Sequence, residues 1–359
     1  MGREFALEPG QGGLVMAVYA VGYAIGSPLL VALTGAWDRV TVLMGALVIF
    51  ALGCGLAALA PEFEVVLLAR GLMALGGGLV TPVSAAAGVA VLPERRALAL
   101  GVVFGGLTVA QAFGVPAAAW LGYSLGWRVV FGLVAGLALV MAGVLDLALP
   151  RGLQVPRSSL GALGQVLRNP LLLGAVGFTV LFMAGAYCLI TFLGPFAEAH
   201  YGLEREGVAL LLLVFGLGGV AGNMAGGGLT AWLGSTRALA WLAVTGTLVM
   251  LALTPVQWPL PVLFALVAVW SGIGWAFMVP QQARLAGLAP TLAPTLFALN
   301  AAGIYLGTTL GSLLGVATLR SLGMGALGPV GAVLVLGSGL SLIGVARAQR
   351  RRRALQDRA

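Results

Sequence analysis

The chain has 359 residues, 60% of them hydrophobic and only 8% charged, with a formal net charge of +8 at pH 7. So apolar a composition excludes a soluble globular protein, because too little polar surface remains to cover it. The nineteen basic residues are all arginine, which excludes a Walker A loop, since that loop needs its lysine on the phosphates. Cys54 and Cys188 are too few and too far apart for a disulfide framework, and no metal-ligand spacing or cofactor motif accompanies them.

Eleven apolar runs long enough to cross a bilayer core of about 30 Å follow one another. A polar stub, MGREFALEPGQGG, precedes the first run at 12–34, on which Tyr19 and Tyr23 share a face at i, i+4. The turn LTGAWDRVTVL carries Asp38 and Arg39 into the second run, 40–60. The third, 65–92, holds Arg70 about one turn inside its outer end, and the fourth, 97–122, holds Gln111, Gly114 and Pro116. The fifth, 129–149, ends with Asp146 four residues before Pro150.

Only the stretch PRGLQVPRSSLGALGQVLRN, 150–169, interrupts the series. It divides the chain into a five-span bundle, 1–149, and a six-span bundle, 170–346, ahead of a basic tail at 347–359. The second set runs 170–196 with Tyr187 and Thr191, 207–233 with Asn223, 238–256, 259–283 with Trp275 and Gln282, 295–319 with Asn300 and Tyr305, and 324–346. The expected fold class is therefore an all-α polytopic membrane protein.

Arginine placement sets direction. Arg3, Arg128, Arg205 and Arg320 fall on one side and Arg70 within a span, while the remaining fourteen share the side of the C-terminal block RAQRRRRALQDR. By the positive-inside rule that side is cytoplasmic. The basic tail then serves as an anchor and attracts anionic lipid, and a nucleic-acid partner is not expected. An odd number of crossings puts the opening stub outside. The stub lacks the basic region and cleavage site of a signal peptide, so a further span is expected ahead of Met1.

Glycine pairs spaced by four, Gly22/Gly26, Gly101/Gly105, Gly218/Gly222/Gly226 and Gly303/Gly307/Gly311/Gly315, fall on spans one, four, seven and ten. Such ladders let helix backbones approach closely. Their every-third recurrence fits the three-helix repeats of secondary transporters, although Gly132/Gly136 on span five breaks it. The turn LTAWLGSTRAL after the seventh span echoes LTGAWDRVTVL after the first.

With these features the chain resembles the major facilitator superfamily, in particular its bacterial drug and sugar efflux branch of arabinose-efflux-like proton antiporters. LLARGLMALGGGLVTP with Arg70 resembles the family's fourth-helix motif, and GGLTVAQAFGVPAAAWLGYSLGWRVVF its fifth-helix antiporter motif. VPQQARLAGLAP and LFALNAAGIYLGTTLGSLLG resemble its tenth and eleventh helices. The resemblance implies a two-bundle fold represented here by family helices two to twelve, with the stub matching the loop between helices one and two. Two departures stand out: Val40 and Thr41 follow Asp38 and Arg39 where glycine and arginine are usual, and Ala118 replaces a glycine beyond Gly114 and Pro116.

The resemblance implies a secondary active transporter of the bacterial cytoplasmic membrane, monomeric, with a cytoplasmic C-terminus, exporting a small drug or sugar against protons by alternating access. Tyr19, Tyr23, Gln111, Tyr187, Thr191, Asn223, Trp275, Gln282, Asn300 and Tyr305 are candidate cavity residues, or else form ordinary interhelical hydrogen bonds. Arg70 either serves proton coupling or snorkels to the surface. Asp38 and Arg39 either form a hydrated turn or gate the carrier, with Asp38 against the N-terminal dipole of the 295–319 span. Gly114 and Pro116 belong to the gating motif, and Asp146 reads as an interfacial charge before a proton carrier. No acid lies mid-span, and the coupling carboxylate is expected on the preceding helix. Alternatives are ion-coupled uptake by the same fold, a permease partner of an ATPase, and a non-functional fragment. A membrane enzyme ranks lowest, because no span carries a catalytic constellation.

Overall fold

The computed structural model describes residues 4–5, 12–153 and 155–356; the side chains of Gln111 and Pro116, of several neighbours, and of 345–356 lie outside the described residues. Ten helices among them are long and apolar enough to cross a membrane. These are built from α1 (Gly12–Leu33), α2 (Arg39–Leu59), α3 (Phe63–Val91), α6 (Trp127–Ala148), α8 (Pro170–Ile190) with α9 (Leu193–Tyr201), α10 (Arg205–Leu233), α11 (Ser235–Leu253), α12 (Leu260–Ala276) with α13 (Met278–Leu288), α14 (Ala293–Leu322) and α15 (Leu327–Gln356). The expected fourth span is a helical run in three pieces: α4 (Arg96–Val109), a π-helical segment Ala110–Gly114, and α5 (Val115–Ser124). Within the expected central loop, α7 (Leu160–Leu167) forms a short amphipathic helix with Ala162, Leu163 and Val166 buried.

Proline explains where the helices break. A proline has no N–H for the carbonyl four residues earlier and crowds it, so the helix yields there. The π-helical segment contains Ala112, four before Pro116. The α8–α9 break falls at Thr191, four before Pro195, and α12 ends at Ala276, four before Pro280. Pro82, inside α3, produces no break. The carbonyl it frees, that of Gly78, instead accepts the Ser27 hydroxyl of α1 at 2.5 Å in a buried site.

The chain divides into two compact units, one of Met1–Glu94, Gly114–Val166 and Ala289–Tyr305, the other of Arg95–Phe113, Leu167–Leu288 and Leu306–Ala359. In the first, α1 packs on α3, and α2 packs on both α3 and α6. In the second, α10 packs on α12, α11 on α15, and α8 on α15. The pairings α1 with α3 and α2 with α6 thus recur as α10 with α12 and α11 with α15, the internal repeat that the two echoing turns announced.

Glycine makes the tightest of these contacts possible. A Cβ on Gly218, Gly222 or Gly226 would run into the carbonyls of Ala268, Gly272 and Ala276 in turn. Gly307, Gly311 and Gly315 stand the same way against the Val180, Ala184 and Cys188 carbonyls of α8. The expected ladders on the first and fourth spans are different. Gly22 and Gly26 meet side chains, those of Ala74 and Leu75, while Gly101 has open space beside it and Gly105 only ordinary contact with Asn223, so among the four ladders close backbone packing is confined to those of α10 and α14.

Candidate functional site

In the first unit α1 and α14 bring three tyrosines together. The Tyr23 and Tyr305 rings lie 4.1 Å apart, Tyr19 and Tyr305 5.8 Å, and Tyr19 and Tyr23 6.0 Å. The i, i+4 spacing of Tyr19 and Tyr23 aims both at one neighbour, and small residues make room: Ala74 and Ala301 pack on Tyr23, and Gly77 lies under the Tyr19 hydroxyl. The Arg70 guanidinium stacks 4.4 Å over the Tyr19 ring and donates from Nε to the Val15 carbonyl at 3.1 Å. Among the described residues it forms no ion pair. A cation set in an apolar span is costly, and here a π face and a backbone carbonyl lower that cost. Asn300 is fully buried on the same helix as Tyr305.

The second unit holds another group. Tyr187 and Trp275 line a recess of about 20 Å³ of water-accessible volume, with Phe215, Trp270 and Ser271, room for a single water. Thr191 bonds Ser312 at 2.9 Å and the Tyr187 carbonyl at 2.8 Å. Asn223 is fully buried and donates to the Gly101 carbonyl at 3.4 Å, and Gln282 is buried as well. Two polar residues go beyond the sequence reading. Gln281, with no accessible surface, donates to the Ala175 carbonyl at 2.8 Å and to Thr179 at 3.0 Å. Arg284, assigned from sequence to a cytoplasmic segment, lies within α13 and is 5% exposed. The run VPQQAR carries both, but helical spacing alone does not tell a polar face turned inward from one turned to water.

The gating candidates meet at the turn between α1 and α2. Asp38 caps α2, accepting from the Thr41 N–H at 3.1 Å, and its second oxygen accepts from the Gly152 N–H at 2.9 Å. These backbone donors, Gly152 first and Thr41 second, hold its carboxyl below the usual aspartate value. Arg39, 4% exposed, donates to the carbonyls of Gly35 at 3.0 Å and Pro156 at 3.3 Å. A Cβ on Gly35 would overlap the Ser158 carbonyl. The first turn of α14 is reached by Ser158, whose hydroxyl lies 2.6 Å from that of Thr295. Asp38 spends its described hydrogen bonds on Gly152 and Thr41. Asp146 pairs with Arg151 at the surface, as an interfacial charge does. Gly114 ends the π-helical segment, and the side chains of Gln111 and Pro116 lie outside the described residues.

A polytopic helical bundle with an internal repeat, polar groups buried inside its spans and glycine-lined helix contacts is the construction of a secondary carrier. Residues 1–312 match the Major Facilitator Superfamily, and the chain belongs to that family. It is 31% identical over 335 residues to the inner membrane transport protein YdhP of Escherichia coli (strain K12), covering 92% of this chain and 85% of that one. To a probable sugar efflux transporter of Helicobacter pylori (strain ATCC 700392 / 26695) it is 28% identical over 343 residues, with 93% and 85% covered. Among solved structures it is similar to the transporter FucP in the outward conformation, with a TM-score of 0.76, 15% identity, and 96% and 92% coverage. The human organic anion transporter MFSD10 gives a TM-score of 0.71 at 19% identity, with 92% and 83% covered. The protein is a multi-pass membrane transporter of the secondary class, not an enzyme.

Proposed function

We propose that this carrier exports a small, neutral or weakly charged, ring-bearing organic compound, a sugar or a drug, in exchange for protons. The observation that carries the reading is the Tyr19–Tyr23–Tyr305 cluster beside Arg70. Aromatic faces bind ring carbons, phenol hydroxyls orient polar groups, and the absence of a carboxylate among these four side chains disfavours a strongly cationic ligand. Tyr187 and Trp275 of the second unit supply similar chemistry. Arg70 is assigned to coupling, because its described contacts are to a carbonyl, a thioether and a π face, leaving it responsive to charge in the cavity. The efflux direction draws support from the Helicobacter pylori relative and the proton from the fucose:proton symporter among the similar folds. The cytoplasmic placement of the C-terminus follows from the arginine bias.

Everted membrane vesicles test this. On energisation they should accumulate labelled arabinose above vesicles lacking the protein, and a protonophore should abolish the difference. Accumulation that needs ATP and survives the protonophore would point to an ATPase partner instead. Accumulation only in right-side-out vesicles would reverse the direction.

A further inference from the structure

Resting on the transport reading, we infer that Ser158 and Thr295 are positioning residues of the cytoplasmic gate. Their buried hydroxyl pair latches the first turn of α14, and the described residues 152–153 and 155–158 form the strap that carries the latch.

The strap is held at three points before it reaches α14: Gly152 by Asp38, Pro156 by Arg39, and Ser158 by the bare backbone of Gly35. All three anchors lie on the one turn between α1 and α2, so the strap is fixed relative to that turn. Its far end meets Thr295, in the first turn of α14, at 2.6 Å. Ser158 is 5% exposed and Thr295 1% exposed, so each hydroxyl has the other as its described polar partner in a dry contact. Immediately beyond, Leu296, Phe297 and Ala298 are buried, Ala298 within a cluster that includes Val31, Val42, Leu43 and Val83.

The chemistry suits a contact that must open repeatedly. Two neutral hydroxyls give a weak net bond in place, and both hydrate freely when parted, whereas a buried ion pair would have to be desolvated at every closure. With one partner removed, the other hydroxyl is left buried and unpaired, which favours the open state. The position is also mechanically apt. α14 is one unbroken helix whose residues to Tyr305 pack in the first unit and whose residues from Leu306 pack in the second.

The test uses the full chain with Ala298→Cys and measures the rate at which N-ethylmaleimide modifies the new thiol in inside-out membranes. Native Cys54 and Cys188, both without accessible surface, serve as internal controls. Adding Ser158→Ala should raise the rate at position 298 about tenfold, the shift expected when a buried hydroxyl loses its partner, and leave both controls unchanged. Equal rates with and without Ser158→Ala, or a parallel rise at all three thiols, would overturn the inference. A second variant, Ser158→Cys with Thr295→Cys, closes the latch covalently: oxidation should stop proton-driven efflux of labelled arabinose and reduction restore it. A cross-linked carrier that still pumps at its full rate would also overturn the latch. Thiol labelling needs no transport, so a failure of the transport reading leaves that arm intact.

Discussion

Tyr305 lies against Tyr23 and within reach of Tyr19, so its ring takes part in two aromatic contacts, each contributing about 0.5–1.5 kcal/mol beyond area burial. A substrate ring stacked on Tyr305 would gain a contact of the same size, so Tyr305→Ala should raise the half-saturating substrate concentration about tenfold, since 1.4 kcal/mol is one decade. Tyr305→Phe keeps the stack and should change it much less. Concentration dependence of vesicle accumulation decides between them, and equal effects of the two variants would place the binding contribution in the hydroxyl. Asp38 makes a different kind of contribution. Because backbone donors hold its folded pKa below the unfolded value, its stabilisation is present above the ordinary aspartate value near 3.9. It is lost as pH falls through the lower folded value. Asp38→Asn should thus lower the thermal midpoint at neutral pH and flatten its fall on acidification. A midpoint that tracks the parent at every pH would show that the Gly152 contact contributes nothing. Arg70 and the tyrosine pair were legible in the sequence, since a charge inside an apolar run and an i, i+4 pair both announce themselves. Gly152 and Pro156 were not, because they act through a backbone N–H and a carbonyl that any residue possesses.

Helices here are shaped as much by absent atoms as by present ones. Ser27 and Pro82 show this most directly: the proline withholds an N–H from the Gly78 carbonyl, and a hydroxyl from the neighbouring helix replaces it. Ser27→Ala leaves that buried carbonyl without either donor and should cost about 1–3 kcal/mol. Pro82→Ala returns the N–H, so the double variant should recover most of the loss. Additive destabilisation, measured as denaturation midpoints in detergent, would mean that Ser27 packs α1 on α3 by shape alone. The missing Cβ atoms of Gly222 and Gly311 act similarly, allowing backbone to meet backbone at Gly272 and Ala184. Spacing by four predicted both ladders, yet the same spacing at Gly101/Gly105 has no such partner. A ladder in the sequence specifies a surface that can be approached, and only the packing specifies what approaches it. Similarly, the ends of the spans followed from hydropathy to within a few residues, while the π-helical segment and the α8–α9 and α12–α13 breaks depend on local accommodation of Pro116, Pro195 and Pro280.

At the scale of the whole molecule, charge asymmetry converts a stack of apolar helices into a vectorial machine. α10 provides the clearest measure of it. Its 29 residues rise about 43 Å at 1.5 Å each, more than the hydrocarbon core of about 30 Å, so its two ends lie in opposite aqueous phases. Glu204 precedes it and Arg237 follows just after, and both are exposed. Acid before and arginine after is the polarity that the positive-inside rule assigns to an outside-to-inside crossing. In intact cells a membrane-impermeant maleimide should therefore modify the thiol of Glu204→Cys. That of Arg237→Cys should react only after the membrane is opened. Cys54 and Cys188 are buried and contribute no background. By the arginine bias of the sequence the strap and Arg237 are expected on the same side, so the opposite labelling pattern would put the Ser158–Thr295 latch at the external mouth and overturn its assignment to the cytoplasmic gate.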